Sequence, residues 1–308
     1  MNSRNEVDDS GAHSVCAIVV TYNRRELLRE CLQALLGQTR PVDRIIVINN
    51  QSTDGTSEML AAEFAAEHQP RISVHTLPVN VGGAGGFHEG MRLATENGGC
   101  DWLWLMDDDT IPQDDALEHL LRAWDEFPVT RKPVLLASKS VWTDGSIHPM
   151  NVPQPRAGDA EGAYAAAERA AISIRTATFV SMLLAAQCVQ RNGLPVADYF
   201  IWGEDVEYSG RVLRDGFGVI VPRSVVLHKT ATSYGPVEGS AARFYYFVRN
   251  GVWMLVWSPA WTANERLKMG LGFFRVIGAF LARTSERSAG MKSILRGFSH
   301  SITSRPRR

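Results

Sequence analysis

The sequence predicts an α/β protein, a doubly wound and mostly parallel sheet carrying a helical extension at its C-terminal end. Two observations lead there. Short β-branched runs alternate with segments of helical period through the first 110 residues, and residues 243–308 then change to an aromatic and basic composition without such strands. The continuous run VCAIVV, Val15 to Val20, reads as a buried strand. Leu27, Leu28, Cys31, Leu32 and Leu35 recur at helical spacing and place a helix over Arg25 to Leu36. Ile45 to Asn49 is the second strand, and it runs into NQSTDGT, whose Asn, Ser, Asp and Gly make a turn before a helix over Ser57 to Glu67. ISVHTL supplies a third strand, a glycine cluster leads a helix near Gly86 to Glu96, and WLWLM is the fourth strand. Sheets of this kind bind ligands beyond the carboxyl ends of their strands, where Thr21, Asn49, Asn80 and Asp107 all fall. After a Pro-rich stretch from Thr143 to Asp159 come the apolar TFVSMLLAA, a helix from Glu204 to near Gly216, and the strand GVIVPRSVVLH ending at His228.

With 308 residues, 45% of them apolar, the chain can bury one large core or two small ones. Its four cysteines, Cys16, Cys31, Cys100 and Cys188, show neither a CxxC pair nor zinc spacing, so a reduced cytoplasmic protein is expected. Residues 1–13 are polar, lack the apolar segment of a signal peptide and are expected to be a disordered tail. The apolar stretches near the C-terminus are interrupted by Arg275 and Arg283 and fall short of a transmembrane span of about 20 residues. Net charge is −1, yet residues 243–308 hold 12 Lys and Arg against the acids Glu265 and Glu286, while the other 242 residues hold 20 basic and 31 acidic side chains. Such polarity suggests an anionic attachment surface. Trp253, Trp257, Trp261, Phe273, Phe274, Ile277 and Phe280 interleave with those bases, which fits an interfacial amphipathic region better than a nucleic-acid tail. A basic helix pair packed on the body is the alternative.

Asp107, Asp108 and Asp109 end the fourth strand. In an extended chain alternate side chains share a face, so Asp107 and Asp109 should converge while Asp108 points away. Convergent carboxylates suit a hard divalent cation, although a solvated acidic loop would show the same three letters. His228, at the end of a later strand, would complete a facial site as a third ligand. NVGGAGGF is not a dinucleotide fingerprint, because His88 stands where the third glycine belongs. Gly82, Gly83, Gly85 and Gly86 would instead let backbone amides approach a nucleotide diphosphate at a helix N-terminus, or form a plain flexible loop. Glu204, Asp205 and Glu207 crowd the start of a helix directly after Trp202 and Gly203. Such acids satisfy the helix dipole, and Asp205 there is also placed to accept a proton from a bound hydroxyl.

Taken in order, IVVTYNR, VINNQSTDGT, NVGGAGGF, WLMDDDT, FIWGEDVEYSGRVLRDG, VVLHK and FYYFVRN resemble a family 2 inverting glycosyltransferase with the GT-A fold, over roughly residues 14 to 251. The glycine cluster, DDD, WGED and downstream His are most similar to bacterial galactofuranosyltransferases of cell-wall galactan assembly, and rhamnosyltransferases share most of the pattern. The resemblance implies a catalytic domain over 14–242 and a membrane-associating region over 243–308. It implies an enzyme that uses Mn²⁺ or Mg²⁺, takes a nucleotide-sugar donor, and works at the inner face of the cell membrane on a polyprenyl-linked glycan. Thr21 and Arg24 would border the nucleoside, with Asn49 beside the base and Asn80 and the glycines near the diphosphate. Asp109 and His228 would hold the cation, and Asp107 the cation or the ribose. Asp205 would be the general base and Trp202 a platform for a sugar, with Asp108 and Glu204 accepting sugar hydroxyls. Arg249 and Asn250 would close over the diphosphate. UDP-galactofuranose is the expected donor and dTDP-rhamnose the second choice. A nucleotidyltransferase would carry a glycine-rich basic signature straight after the first strand, where this chain has TYNRREL; a noncatalytic sugar-binding protein would be expected to lack Asp109, Asp205 or His228.

Overall fold

A computed structural model describes residues 13–64, 71–96, 99–231 and 240–307. Residues 1–12 of the expected tail, and the end of the helix expected over Ser57 to Glu67, lie outside the described residues. The strands are β1 (Val15–Thr21), β2 (Arg44–Asn49), β3 (Ile72–Thr76), β4 (Trp102–Asp107), β5 (Thr110–Pro112), β6 (Leu135–Val141), β7 (Gln154–Pro155), β8 (Ile172–Thr176), β9 (Met182–Ala185) and β10 (Gly218–His228). The helices are α1 (Arg25–Leu36), α2 (Thr56–Glu63), α3 (Gly82–Glu96), α4 (Ala116–Glu126), α5 (Ala160–Ala167), α6 (Gln187–Asn192), α7 (Glu204–Val212), α8 (Ala241–Val256), α9 (Ala263–Arg283) and α10 (Arg287–Thr303).

One sheet runs in the order β3-β2-β1-β4-β9-β6-β10-β8-β7, with β5 beside β10. The β3-β2-β1-β4 half is wholly parallel, as helical crossovers require. Past β4 the sheet is mixed: β9 runs antiparallel between β4 and β6, and β6 pairs β10 in parallel. Register along β10 shifts between Val221 and Val225, around Pro222, whose missing N–H cannot serve a regular ladder. Every residue of β1 is buried, which accounts for its unbroken apolar run.

The glycine cluster behaves differently from expectation. The helix begins at Gly82, four residues earlier, so the glycines lie within α3. A methyl group on Gly86 would come 2.4 Å from Val20, and one on Gly90 equally close to Ile18. These glycines let α3 lie directly on β1. Gly85 packs against Val81 in the same way, and the Gly82 amide donates to Asn80 Oδ1 at 2.8 Å.

The region from 243 onward forms α8 to α10, which share a cluster of Phe244, Val248, Phe273, Ile277, Phe280 and Ile294. Phe244 stacks on Phe280 with centroids 3.6 Å apart. This unit is joined to the body rather than appended to it. Trp253 packs with Ala84, Val196 and Tyr199, Trp261 lies against Gly210, and Arg175 pairs with Glu265 at 2.7 Å. Among the described residues no helix is long and apolar enough to cross a membrane. Leu267, Leu271 and Phe274 of α9 nevertheless face solvent, as do Leu295 and Ile302 of α10.

Candidate active site

Asp107 closes β4, and Asp108 and Asp109 form the turn into β5. The two outer acids therefore converge through a turn, not along an extended strand. Because β5 pairs antiparallel with β10, Thr110 stands opposite His228, and the Lys229 amide donates to the Asp109 carbonyl at 2.8 Å. His228 Nε2 then lies 3.1 Å from Asp109 Oδ1. Asp107, Asp109 and His228 offer ligand atoms within 4.8 Å of one another.

Electrostatics distinguishes the three acids. Burial, and then the neighbouring charge of Asp109, push Asp107 up to about 7. Burial works the same way on Asp109, but its contact with His228 and the Arg24 guanidinium hold it below the ordinary carboxylate value. Burial raises Asp108 to about 6 against the pull of Arg24. Two carboxylates forced together, one of them resisting ionisation, make a place that a divalent cation would relieve. Oxygen donors with one imidazole suit Mn²⁺ or Mg²⁺, so these residues fit such an ion.

The expected donor-binding residues have partners within the protein. Asp108 is buried on the opposite side of the turn, accepting from Thr21 Oγ1 at 2.8 Å and Arg24 Nη1 at 3.1 Å. Thr21 and Asp108 thus brace each other. Arg24 bridges Asp108 and Asp109. Asn49 is buried, with Nδ2 donating to Ser57 Oγ and Oδ1 accepting from the Ser52 amide, so it organises the turn after β2. Asn80 caps the start of α3.

Across the crevice, α7 begins at Glu204 after a loop with unusual backbone: Phe200, Trp202 and Gly203 all have positive φ, at 63°, 70° and 91°. For the two aromatic residues this is a costly conformation, sustained only if the surroundings impose it. Asn250 does so. It is 1% exposed, and its Nδ2 donates to the carbonyls of Tyr199, Ile201 and Trp202 at 3.0, 2.9 and 2.7 Å. Arg249 donates to the Asp198 and Tyr199 carbonyls and lies over the Trp253 ring at 4.3 Å. Both residues, expected on a diphosphate, latch this loop through Arg249 Nη2 and Asn250 Nδ2, while Arg249 Nε donates to Asn250 Oδ1. Trp202 is half-buried beside the loop's acids.

Glu204 is buried with Oε2 unpartnered, facing the Gly83 position on α3. Burial, then the charges of Asp205 and Asp107, push it well above the ordinary range. Burial raises half-buried Asp205 to about 6, opposed by the Val206 amide on its Oδ1. Burial thus raises both neighbouring carboxyls, and Glu204 the more strongly.

Sequence reasoning passed over two residues behind His228. Asn151 Oδ1 lies 2.8 Å from His228 Nδ1, and His148, fully buried, places its ring 4.7 Å from that of His228. No motif marked them, since they sit in the Pro-rich segment of low apolar content. Asn50 was also missed: its side chain ties the end of β2 to Val81 and Gly82.

Solved glycosyltransferases share this architecture. The chain superposes on Staphylococcus aureus TarS 1–349 with a TM-score of 0.62 at 16% identity, over 94% of this chain and 81% of that one. The mannosyltransferase PcManGT of Pyrobaculum calidifontis, solved with GDP-Man and Mn²⁺, matches with a TM-score of 0.57 at 16% identity, over 94% and 87%. The fold is therefore that of a GT-A glycosyltransferase. In sequence, residues 16–131 match the family model for Glycosyl transferase family 2. Galactofuranosyltransferase GlfT1 of Mycolicibacterium smegmatis is 30% identical over 250 residues, 75% of this chain and 76% of that protein. The chain belongs to glycosyl transferase family 2, and it is an enzyme of that class.

Proposed function

We propose that this enzyme moves galactofuranose from UDP-galactofuranose to a hydroxyl of a lipid-linked glycan, inverting the anomeric centre, in cell-wall or surface polysaccharide synthesis. The observation that carries the reading is the convergence of Asp107, Asp109 and His228 at the ends of β4 and β10, with Glu204 at the start of α7 near enough to feel the charge of Asp107. Asp107, Asp109 and His228 would hold Mn²⁺ or Mg²⁺, which supplies neutralisation of the charge developing on a nucleotide diphosphate leaving group. Asp205, ionised at neutral pH, takes the proton of the attacking acceptor hydroxyl. Glu204, whose buried Oε2 has no partner in the fold, is available to hydrogen-bond a sugar hydroxyl. Trp202 offers a ring face to the sugar. A single displacement with Asp205 opposite the leaving group needs no covalent intermediate. Support for the sugar comes from the 30% identity to a galactofuranosyltransferase.

The acceptor reading rests on the C-terminal helices. Exposed Leu267, Leu271 and Phe274 lie on one face of α9 with Lys268 and Arg275 beside them, a pattern that fits the anionic inner face of a cell membrane. There the enzyme would meet a polyprenyl-linked glycan while remaining peripheral. Incubation with Mn²⁺ and UDP-galactofuranose or dTDP-rhamnose, scoring transfer or slow hydrolysis, tests the donor. Higher kcat/KM for dTDP-rhamnose would overturn the sugar assignment and leave the catalytic reading standing.

A further inference from the structure

The two ring nitrogens of His228 have different neighbours. Nε2 faces Asp109 at 3.1 Å, on the side shared with Asp107. Nδ1 faces Asn151 Oδ1 at 2.8 Å on the other. Asn151 ends the short helical turn Pro149–Asn151 and is 7% exposed. Its Nδ2 donates to Thr178 Oγ1 at 3.1 Å, and its oxygen lies toward the ring. A carbonyl oxygen can only accept, so Nδ1 must carry a hydrogen. Nε2, which donates to Asp109 Oδ1 in this geometry, is then the nitrogen that can exchange its hydrogen for a cation and offer a lone pair. His148 covers the face of the same ring at 4.7 Å and is itself held through Nε2 by Thr230 Oγ1 at 2.9 Å. Two residues of one segment thus contact His228, Asn151 at Nδ1 and His148 at the ring.

We propose that Asn151 is a positioning residue for the metal centre: by accepting from Nδ1 it selects the His228 tautomer that binds a divalent cation through Nε2. The proposal rests on the reading that Asp107, Asp109 and His228 hold the cation. It gives the stretch from Thr143 to Asp159, which carries no sequence motif, a chemical role. Outer partners of a ligating histidine typically change metal affinity by about 10- to 100-fold when removed.

The test is Mn²⁺ binding to the full chain with UDP present, read from the loss of the free-Mn²⁺ electron paramagnetic resonance signal. Wild type, Asn151→Asp, Asn151→Leu and Thr178→Val are compared, with thermal unfolding as the control for folding. Asn151→Leu, close in volume but unable to accept, should weaken Mn²⁺ by about 10- to 100-fold. Asn151→Asp keeps the acceptor toward Nδ1 and should stay close to wild type. Thr178→Val removes only the contact on the other side of the amide and should also stay close to wild type, whereas a purely structural Asn151, acting through Thr178, would make Thr178→Val weaken Mn²⁺ as much as Asn151→Leu. Equal loss in Asn151→Leu and Thr178→Val, or no loss in Asn151→Leu, overturns the proposal. Should Asn151→Leu not fold, nitrogen-edited imidazole NMR of wild type and Asn151→Asp decides: Nδ1 protonated in both is expected, and an unprotonated Nδ1 in either refutes it. Wild type that binds no Mn²⁺ would sink the cation site itself, a failure distinct from a wild type that binds and a leucine variant that binds equally well.

Discussion

Replacing Asp205 by Asn should make the protein more stable and nearly inactive at once. Burial moves this carboxyl from the ordinary 3.8 to about 6. The folded state therefore holds its proton more tightly than the unfolded state, and the group costs stability as pH rises through that window. Above about pH 6 the cost is complete; at about 1.4 kcal/mol per tenfold change in proton affinity it reaches at most about 3 kcal/mol. Asp205 is only half-buried, and solvent screening brings a realistic figure to about 1 to 2 kcal/mol. Asn keeps the Oδ1 that accepts from the Val206 amide and has no charge to desolvate. Differential scanning calorimetry at pH 7.5 should show the variant melting a few degrees higher, with the gain vanishing near pH 4. Transfer should fall by about 10² to 10⁴-fold, the usual contribution of a general base. In wild type the rate should drop about tenfold for each pH unit below about 6, and the residual rate of the variant should lack that limb. A variant with wild-type turnover, where chemistry limits the rate, would transfer the role of base to Glu204. A lower melting temperature would refute the claim that the Asp205 charge is held at a cost.

Excess EDTA should abolish turnover, and Asp109→Ala should weaken nucleotide-sugar binding as well as rate; full transfer in EDTA would sink the cation role. Asn250→Ala should cost about 2 kcal/mol, from two N–H hydrogens shared among three backbone acceptors at about 1 kcal/mol per hydrogen bond, and lower kcat by releasing the strained loop before α7; denaturant melts together with kinetics check this, and an unchanged kcat would detach the latch from catalysis. Leu271→Glu with Phe274→Glu should abolish salt-sensitive flotation with anionic liposomes. Equal recovery of wild type with neutral and anionic vesicles would favour a helix unit that only packs on the body.

The sequence alone determined the elements whose signal is local. Unbroken β-branched runs could only be buried strands, and the leucine spacing fixed α1 at its observed ends, because side-chain period is a property of neighbouring residues. The acids of DDD and WGED, and their placement at strand and helix ends, were legible for the same reason. Tertiary structure decided what each of those side chains touches. His228 meets Asp109 across 119 positions only because β5 pairs with β10. Thr21, Asn49 and Asp108 look like ligand contacts in sequence, yet folding turns their polar atoms on one another or on nearby turns. Gly86 and Gly90 read as part of an anion loop or helix until β1 comes close enough to forbid a Cβ. Asn250 reads as a substrate contact until three carbonyls of a distant loop converge on its amide. A buried donor or acceptor must find a partner, and which partner lies within 3 Å or so is set by chain crossings that no local period records.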